Sequence, residues 1–376
     1  MSRQSRRPLH ERLPPLNWLR GPVRRWFFRF LRRTWETDEA KRMAADALRG
    51  LLADRPVLTL APGAISAQPY ADLPTLNRAG EPSQRSDVVI ITARFRSGST
   101  LLWNLFRHVE GFTAYYEPFN ERRWFDPQHR GERIDPSHKQ VRDYWTEYDG
   151  LSELAKYYDE RWIDSELYMA ADAWNPAMKR FVAILIARAT GRAALQFNRI
   201  DFRLPWFRRH FPRARIVHLY RHPRDQWVSA LTEESMSFPR GGRMADFARH
   251  DHFYLLRWAR DLSYQFPFLD ADAIEHPYQL HYYLWKLSYL FGRAYADYSL
   301  AFESLVQRPD AELPKLLTAV QAGGVDVARL IALIVTPPLG KWKEYAEDAW
   351  FRRHEALCEE VLVEYLGPQV RSAREV

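Results

Sequence analysis

From about residue 86 onward, short β-branched runs alternate with longer stretches of helical period. Residues 87–93 form an apolar run (Val88, Val89, Ile90, Ile91) that ends at a Ser/Gly turn, and 99–109 continues with amphipathic spacing. That pattern predicts strand, loop and helix. Residues 112–116 predict a short strand closed by Pro118. Residues 176–189 predict a helix stopped by Gly191, and 193–197 a strand. A helix over 204–210 precedes Pro212, and 215–220 is a second strong strand. Residues 223–231 begin a helix at a first-turn proline. Further helical stretches lie around 251–265, 277–296, 310–321 and 344–365, whereas 120–170 is aromatic and charged with weak helical signals. No internal repeat is evident. Strands alternating with helices imply an α/β fold, a mostly parallel sheet with helices on both faces, whose ligands sit beyond the carboxyl ends of the strands.

The first 85 residues read differently. Within 1–33, ten arginines against one acid (Glu11) alternate with bulky apolar residues, and helical spacing groups Leu19, Val23, Trp26, Phe27 and Phe30 on one side. Two readings fit residues 16–33: a helix lying on a membrane surface, or one packed on the main domain with its arginines in water. A short helix near 38–52 follows, then a Pro/Gly/Ala/Ser-rich connection over 55–85. The expected organisation is therefore a basic, helical N-terminal extension and linker, 1–85, and a main domain, 86–376.

Composition alters this picture in three ways. The extension's charge of +9 exceeds the chain total of +8, so the remainder sums to −1 and the basicity gives no support to nucleic-acid binding by the fold. Arginine outnumbers lysine 47 to 8, a bias that a GC-rich genome explains without any selection for anion binding. A single cysteine, Cys358, excludes an internal disulfide framework and a Cys-based metal cluster. The longest apolar run, 181–187, has seven residues, against roughly 18 for a membrane span. No secretory signal core is apparent. The expectation is a soluble cytoplasmic protein, peripheral to the inner membrane surface if residues 16–33 lie on lipid.

Two motifs carry chemistry. The first is Thr92-Ala-Arg-Phe-Arg96-Ser97-Gly98-Ser99-Thr100-Leu101. A small-residue loop between strand and helix aims backbone N–H groups and the helix dipole at one point, an anion site. Gly98 permits close approach, Arg96 adds charge, and Ser99 and Thr100 donate from hydroxyls. A Walker loop would carry Gly at position 93 and Lys at 99; both are missing here, which weakens a kinase or ATPase reading. The second is Arg221-His-Pro-Arg-Asp with Ser229: a strand-end arginine and a serine two helical turns on, a second and separate phosphate clamp.

Together the motifs resemble the sulfotransferase family that uses 3′-phosphoadenosine 5′-phosphosulfate (PAPS), with a pattern similar to its protein-tyrosine and carbohydrate branches. Arg96-Ser-Gly-Ser-Thr-Leu-Leu resembles the family's 5′-phosphosulfate loop, and Arg221 with Ser229 its 3′-phosphate motif. Phe211-Pro-Arg-Ala and Phe302-Glu-Ser-Leu-Val with Pro309 match further stretches in family order, and Gly340-Lys341-Trp342-Lys343 resembles the C-terminal loop that closes over the nucleotide. The likeness runs from about 86 to 366. Ala93, where Gly is frequent, and His222, where Asp is usual, depart from it.

The resemblance implies a P-loop-type fold, PAPS as sulfuryl donor without a metal, a hydroxyl-bearing acceptor, and transfer by in-line displacement. It further implies Glu117, in Tyr115-Tyr116-Glu117-Pro118, as catalytic base, and Arg199, in Gln196-Phe-Asn-Arg199, as a second catalytic cation beside Arg96. Glu117 follows a strand 21 residues after Arg96, an interval that suits strand–helix–strand; the alternative is a local pair with Arg122 or Arg123. His108 is the rival base, while His218 falls inside a strand. Trp342 or an aromatic from 120–170 would stack on adenine. No His/Asp/Glu cluster has metal-ligand spacing. The competing readings are a non-catalytic nucleotide-binding protein on the same fold and a P-loop phosphotransferase. Sugar, tyrosine, lipid and small metabolite all stay open as acceptors.

Overall fold

The computed structural model describes residues 81–370 except 137, 232–237 and 369, with a few positions between 26 and 43. The chain divides into two compact units, Met1–Asp54 and Arg55–Val376. In the first, Trp26 and Phe30 are helical and their exposed rings stack at 5.8 Å. Phe27, Arg33, Ala40 and Met43 are helical too; the rest of 16–33, of the helix expected near 38–52 and of the linker up to residue 80 lies outside the described residues. Among the described residues no helix is long and apolar enough to cross a membrane.

The second unit is built on five parallel strands: β1 (Val89–Ala93), β2 (Phe112–Tyr116), β3 (Arg192–Phe197), β4 (Arg215–Tyr220) and β5 (Tyr298–Ala301), in the order β2-β3-β1-β4-β5. A strand covered on both faces needs a continuous apolar run rather than an alternating one, and all five residues of β1 are buried. It lies at the centre, with Ile90 opposite Leu195 of β3 and Ile216 of β4. The chain leaves β1 for the outer strand β2, returns to β3, then crosses to β4 and β5. Direction therefore reverses around β1, which opens a crevice at its carboxyl end.

The main helices of this unit are α1 (Ser99–Arg107), α2 (Pro176–Arg188), α3 (Leu204–His210), α4 (Pro223–Ala230), α5 (Leu255–Leu262), α6 (Pro277–Tyr295), α7 (Phe302–Gln307), α8 (Pro309–Ala319), α9 (Val327–Ile331) and α10 (Asp348–Leu366). Proline sits in the first turn of α2, α4 and α6, where its missing N–H leaves no bond unmade. Nearly every residue of α6 is buried. A Cβ at Gly292 would lie 2.3 Å from the ring of His218 in β4, so glycine is what lets this helix press on the sheet. Burial pushes that imidazole down to about 3, keeping it neutral.

From residue 86 on, the helical and strand segments expected from the sequence are present, with ends moved by a few residues. β5, α7 and α9 are additions. Between β2 and α2 the chain is mostly irregular and is fixed by side chains instead of a backbone ladder. Tyr144 stacks on Tyr116 at 4.7 Å, Tyr148 donates to the Tyr116 carbonyl at 2.9 Å, and Arg107 of α1 grips Asp143 and Glu147.

Candidate active site

The segments that follow all five strands converge on one cavity of about 800 Å³. Arg96 and Gly98 to Leu101 follow β1, Glu117 follows β2, Asn198 β3, Arg221 β4 and Phe302 β5.

The loop after β1 is a turn closed by Ser97, whose N–H and hydroxyl both donate to the Arg94 carbonyl, at 3.3 and 2.6 Å. Arg96 and Gly98 have left-handed backbones, φ 64° and 91°. Such a backbone turns successive N–H groups to a common point. At Gly98 no other residue fits, since a Cβ would meet the Phe302 ring at 2.2 Å. Arg96, Gly98, Ser99, Thr100 and Leu101 line the cavity; Ser97 faces its own turn, buried.

The two anion motifs, expected as separate clamps, are in contact. Arg96 Nε donates to the Ser229 carbonyl (2.8 Å) and hydroxyl (3.2 Å), and Arg221 Nη1 donates to the Arg96 carbonyl (3.0 Å). Arg221 lies over the Phe302 ring, with its Nε–H buried and without a partner. Burial lowers its pKa, against the pull of Asp225 and Glu303. An orphaned guanidinium donor beside a loop of convergent amides suits an anionic ligand with two charged ends.

Glu117 is 5% exposed and takes a left-handed φ of 39°. Oε1 accepts from Asn198, and Oε2 accepts from Asn120 and Arg199, each at 2.8 Å. The local pairing with Arg122 or Arg123 is not made; Arg123 pairs with Glu160. Arg199 is buried against the rings of Phe95 and Tyr254, and its other Nη donates to Glu121 at 2.6 Å. Burial works against its charge, but Glu117 and Glu121 together raise its pKa. Arg199 does not line the cavity, so its guanidinium meets the site through Glu117.

His108 is spent on the Asn104 carbonyl of its own helix at 2.8 Å, and His218 lies under α6; neither lines the cavity. His138 does. Its Nε2 is 3.2 Å from Thr100 Oγ1 and its Nδ1 2.6 Å from the Tyr144 hydroxyl. Asn104 also faces the cavity, with a buried and unpartnered side-chain carbonyl.

The C-terminal loop is tied to α4 by Asp225, whose carboxylate accepts from the N–H groups of Gly340 (2.9 Å) and Trp342 (3.3 Å). Lys341 lines the cavity. Trp342 turns to Arg224 at 4.7 Å and Phe351 at 5.5 Å, Lys343 lies over its ring, and neither lines the cavity. The aromatic lining comes from Phe95, Tyr116, Phe253 and Phe302. Sequence reasoning missed Asn120, Asn198, His138, Asn104 and the packing role of Phe302. Asn198 alone had a signal, a polar residue directly after a strand and before Arg199.

A family model described as the sulfotransferase family matches residues 88–322, well over half of the chain, from β1 to just beyond α8. No curated protein matches it.

Proposed function

The chain belongs to the sulfotransferase family, and from that premise we propose that it takes its sulfuryl group from PAPS and passes it to a hydroxyl acceptor, with Glu117 as base. The single observation that carries the donor reading is the unpartnered Nε–H of buried Arg221 beside the glycine loop. In this reading the amides at the start of α1, with Arg96 and the hydroxyls of Ser99 and Thr100, hold the 5′-phosphosulfate end. Ser97 fixes the turn and Leu101 lines the wall. Arg221 and Ser229 hold the 3′-phosphate. Lys341 faces the nucleotide, while Trp342 and Lys343 brace that loop from outside through Arg224 and Phe351.

When bound, the donor supplies a sulfur centre whose bond to phosphate breaks as the bond to the acceptor oxygen forms. Glu117 takes the acceptor's proton at a carboxylate oxygen. Asn198, Asn120 and Arg199 fix the plane of that carboxylate, so Arg199 is a positioning residue rather than a ligand of the moving group. Arg96 places its charge by the leaving phosphate.

Thermal unfolding tests the donor site. Adenosine 3′,5′-bisphosphate at 100 times its Kd should stabilise the fold by roughly 2.7 kcal/mol, and ATP at equal concentration should do far less. Equal stabilisation by the two nucleotides would overturn the assignment.

A further inference from the structure

Behind Glu117, outside the cavity, a buried amide extends its hydrogen bonds. Gln196 lies in β3 with no exposed surface, in register with Ile91 of β1 and Tyr116 of β2. An amide at such a position gives up water and has to find partners in the protein. Among the described residues it makes one side-chain bond: Nε2 donates to Asn198 Oδ1 at 2.7 Å, while its own Oε1 is buried without a partner. Asn198 Nδ2 in turn donates to Glu117 Oε1. The carboxylate dictates this order. It can only accept, so the nitrogen of Asn198 faces it; the Asn198 carbonyl then faces back, and only the nitrogen of Gln196 can meet it. The other carboxylate oxygen, Oε2, is occupied by Asn120 and Arg199, both at 2.8 Å. Among the described residues Oε1 accepts from Asn198 alone, which leaves it an open lone pair.

We propose that Gln196 is a positioning residue for the base: it holds the Asn198 amide in the orientation that donates to Glu117 Oε1, the oxygen that takes the acceptor's proton. This rests on Glu117 being the base. In the transfer the acceptor's O–H bond breaks, its electron pair stays on the attacking oxygen, and its proton goes to the open lone pair of Oε1 while Asn198 keeps the other. Asn198 also lines the cavity, so without a partner on its carbonyl the amide is free to swing toward water there. A reversed amide would set Oδ1 against Oε1, acceptor against acceptor, which only a protonated Glu117 tolerates; the base would then be spent before an acceptor arrived. A donor on the ionised form favours that form, and Gln196 keeps the donor in place. The charged group touching Glu117 is Arg199, which also holds Glu121. Its titratable neighbours Tyr116, Tyr144 and Tyr148 are phenols that burial keeps protonated.

A ¹³C NMR titration of the Glu117 carboxyl carbon, on the glutamate-labelled full chain, reads this without turnover; Glu117→Gln assigns the resonance by its loss. Gln196→Met keeps the volume and removes the donor, and should move the midpoint to higher pH by about 0.5–1 unit, roughly a three- to tenfold change in ionisation constant. Asn198→Leu should move it by about 1–2 units, the scale of a hydrogen bond to a charged group. In the Asn198→Leu background Gln196→Met should add nothing, because its effect runs through that amide. An unmoved midpoint in Gln196→Met, or two shifts that add, would overturn the proposal. If that variant does not fold, Gln196→Leu takes its place, and failure of both to fold makes Gln196 structural and sinks the proposal as well. Hydrolysis of PAPS, with water as acceptor, separates this from the base reading. The acid limb of its pH profile should shift in Gln196→Met by the same amount as the midpoint, with KM unchanged. Full hydrolysis by Glu117→Gln would remove the base and the role of Gln196 with it. Hydrolysis lost in Glu117→Gln but with an unmoved limb in Gln196→Met would keep the base and reject Gln196.

Discussion

Glu117 and Asp201 are both buried carboxylates beside buried arginines, and only one of them faces the cavity. Asp201 is 2% exposed, accepts from Thr92 of β1 (2.7 Å) and Ser288 of α6 (2.9 Å), and lies 3.6 Å from Arg94. It clasps the central strand to the longest buried helix. Burial raises its pKa despite Arg94. Glu117 has a closer arginine, Arg199 at 2.8 Å, and two asparagine amides, on a backbone bent into the left-handed region. Burial and an arginine partner are common to both. They therefore identify neither as functional; a cavity that reaches the carboxylate, and amides that fix its plane, make the distinction.

The largest expected effect is at Glu117. Glu117→Gln keeps size and hydrogen-bonding capacity but cannot take a proton, so turnover should fall roughly 10²–10⁴-fold with bisphosphate affinity near wild type. Calorimetry beside steady-state rates checks the split. A joint collapse of affinity and melting temperature would place Glu117 with Asp201 as a structural group. Next comes Arg221→Ala, which removes the orphaned donor. Bisphosphate binding should weaken by roughly 1.5–3 kcal/mol, and unaltered affinity would reassign the 3′-phosphate clamp.

The smallest effect should follow Asp201→Asn. A carboxyl whose folded pKa is raised contributes stability that is present below its unfolded value, near 4, and lost as pH rises through the folded value. Asparagine carries no charge at any pH, so the variant should gain on the wild type from pH 4 upward. At pH 7.5 the two should differ by about 1 kcal/mol or less, with turnover unchanged. A loss above roughly 3 kcal/mol, the scale of a broken buried pair, would show the Arg94 pairing to outweigh desolvation.

What the sequence revealed depended on how each region is held. β1 to β4 and the long helices were legible because burial on both faces leaves an uninterrupted apolar run or a 3.6-residue stripe. β5 escaped notice: at four residues, only one of them buried, it is too short to show a period. Arg96, Gly98, Ser99, Thr100, Arg221 and Ser229 were readable because they lie at fixed offsets from strand ends, and so was Glu117. His138 was not, since Tyr144 and Thr100 place it rather than any local spacing. Trp342 and Lys343 came within the right loop, but a one-dimensional motif carries no information on which side of that loop an indole turns.

The ring of Phe302 on Gly98 has a consequence for protein synthesis. The glycine loop leaves the ribosome roughly 200 residues before the phenylalanine that covers it, about 10–40 s at ordinary elongation rates. Through that interval the loop has its strand and helix but lacks its cover, and Arg221 lacks the ring over which it is ordered. The nascent chain is thus without a finished cavity wall until its edge strand docks, and the cavity becomes a property of the completed sheet.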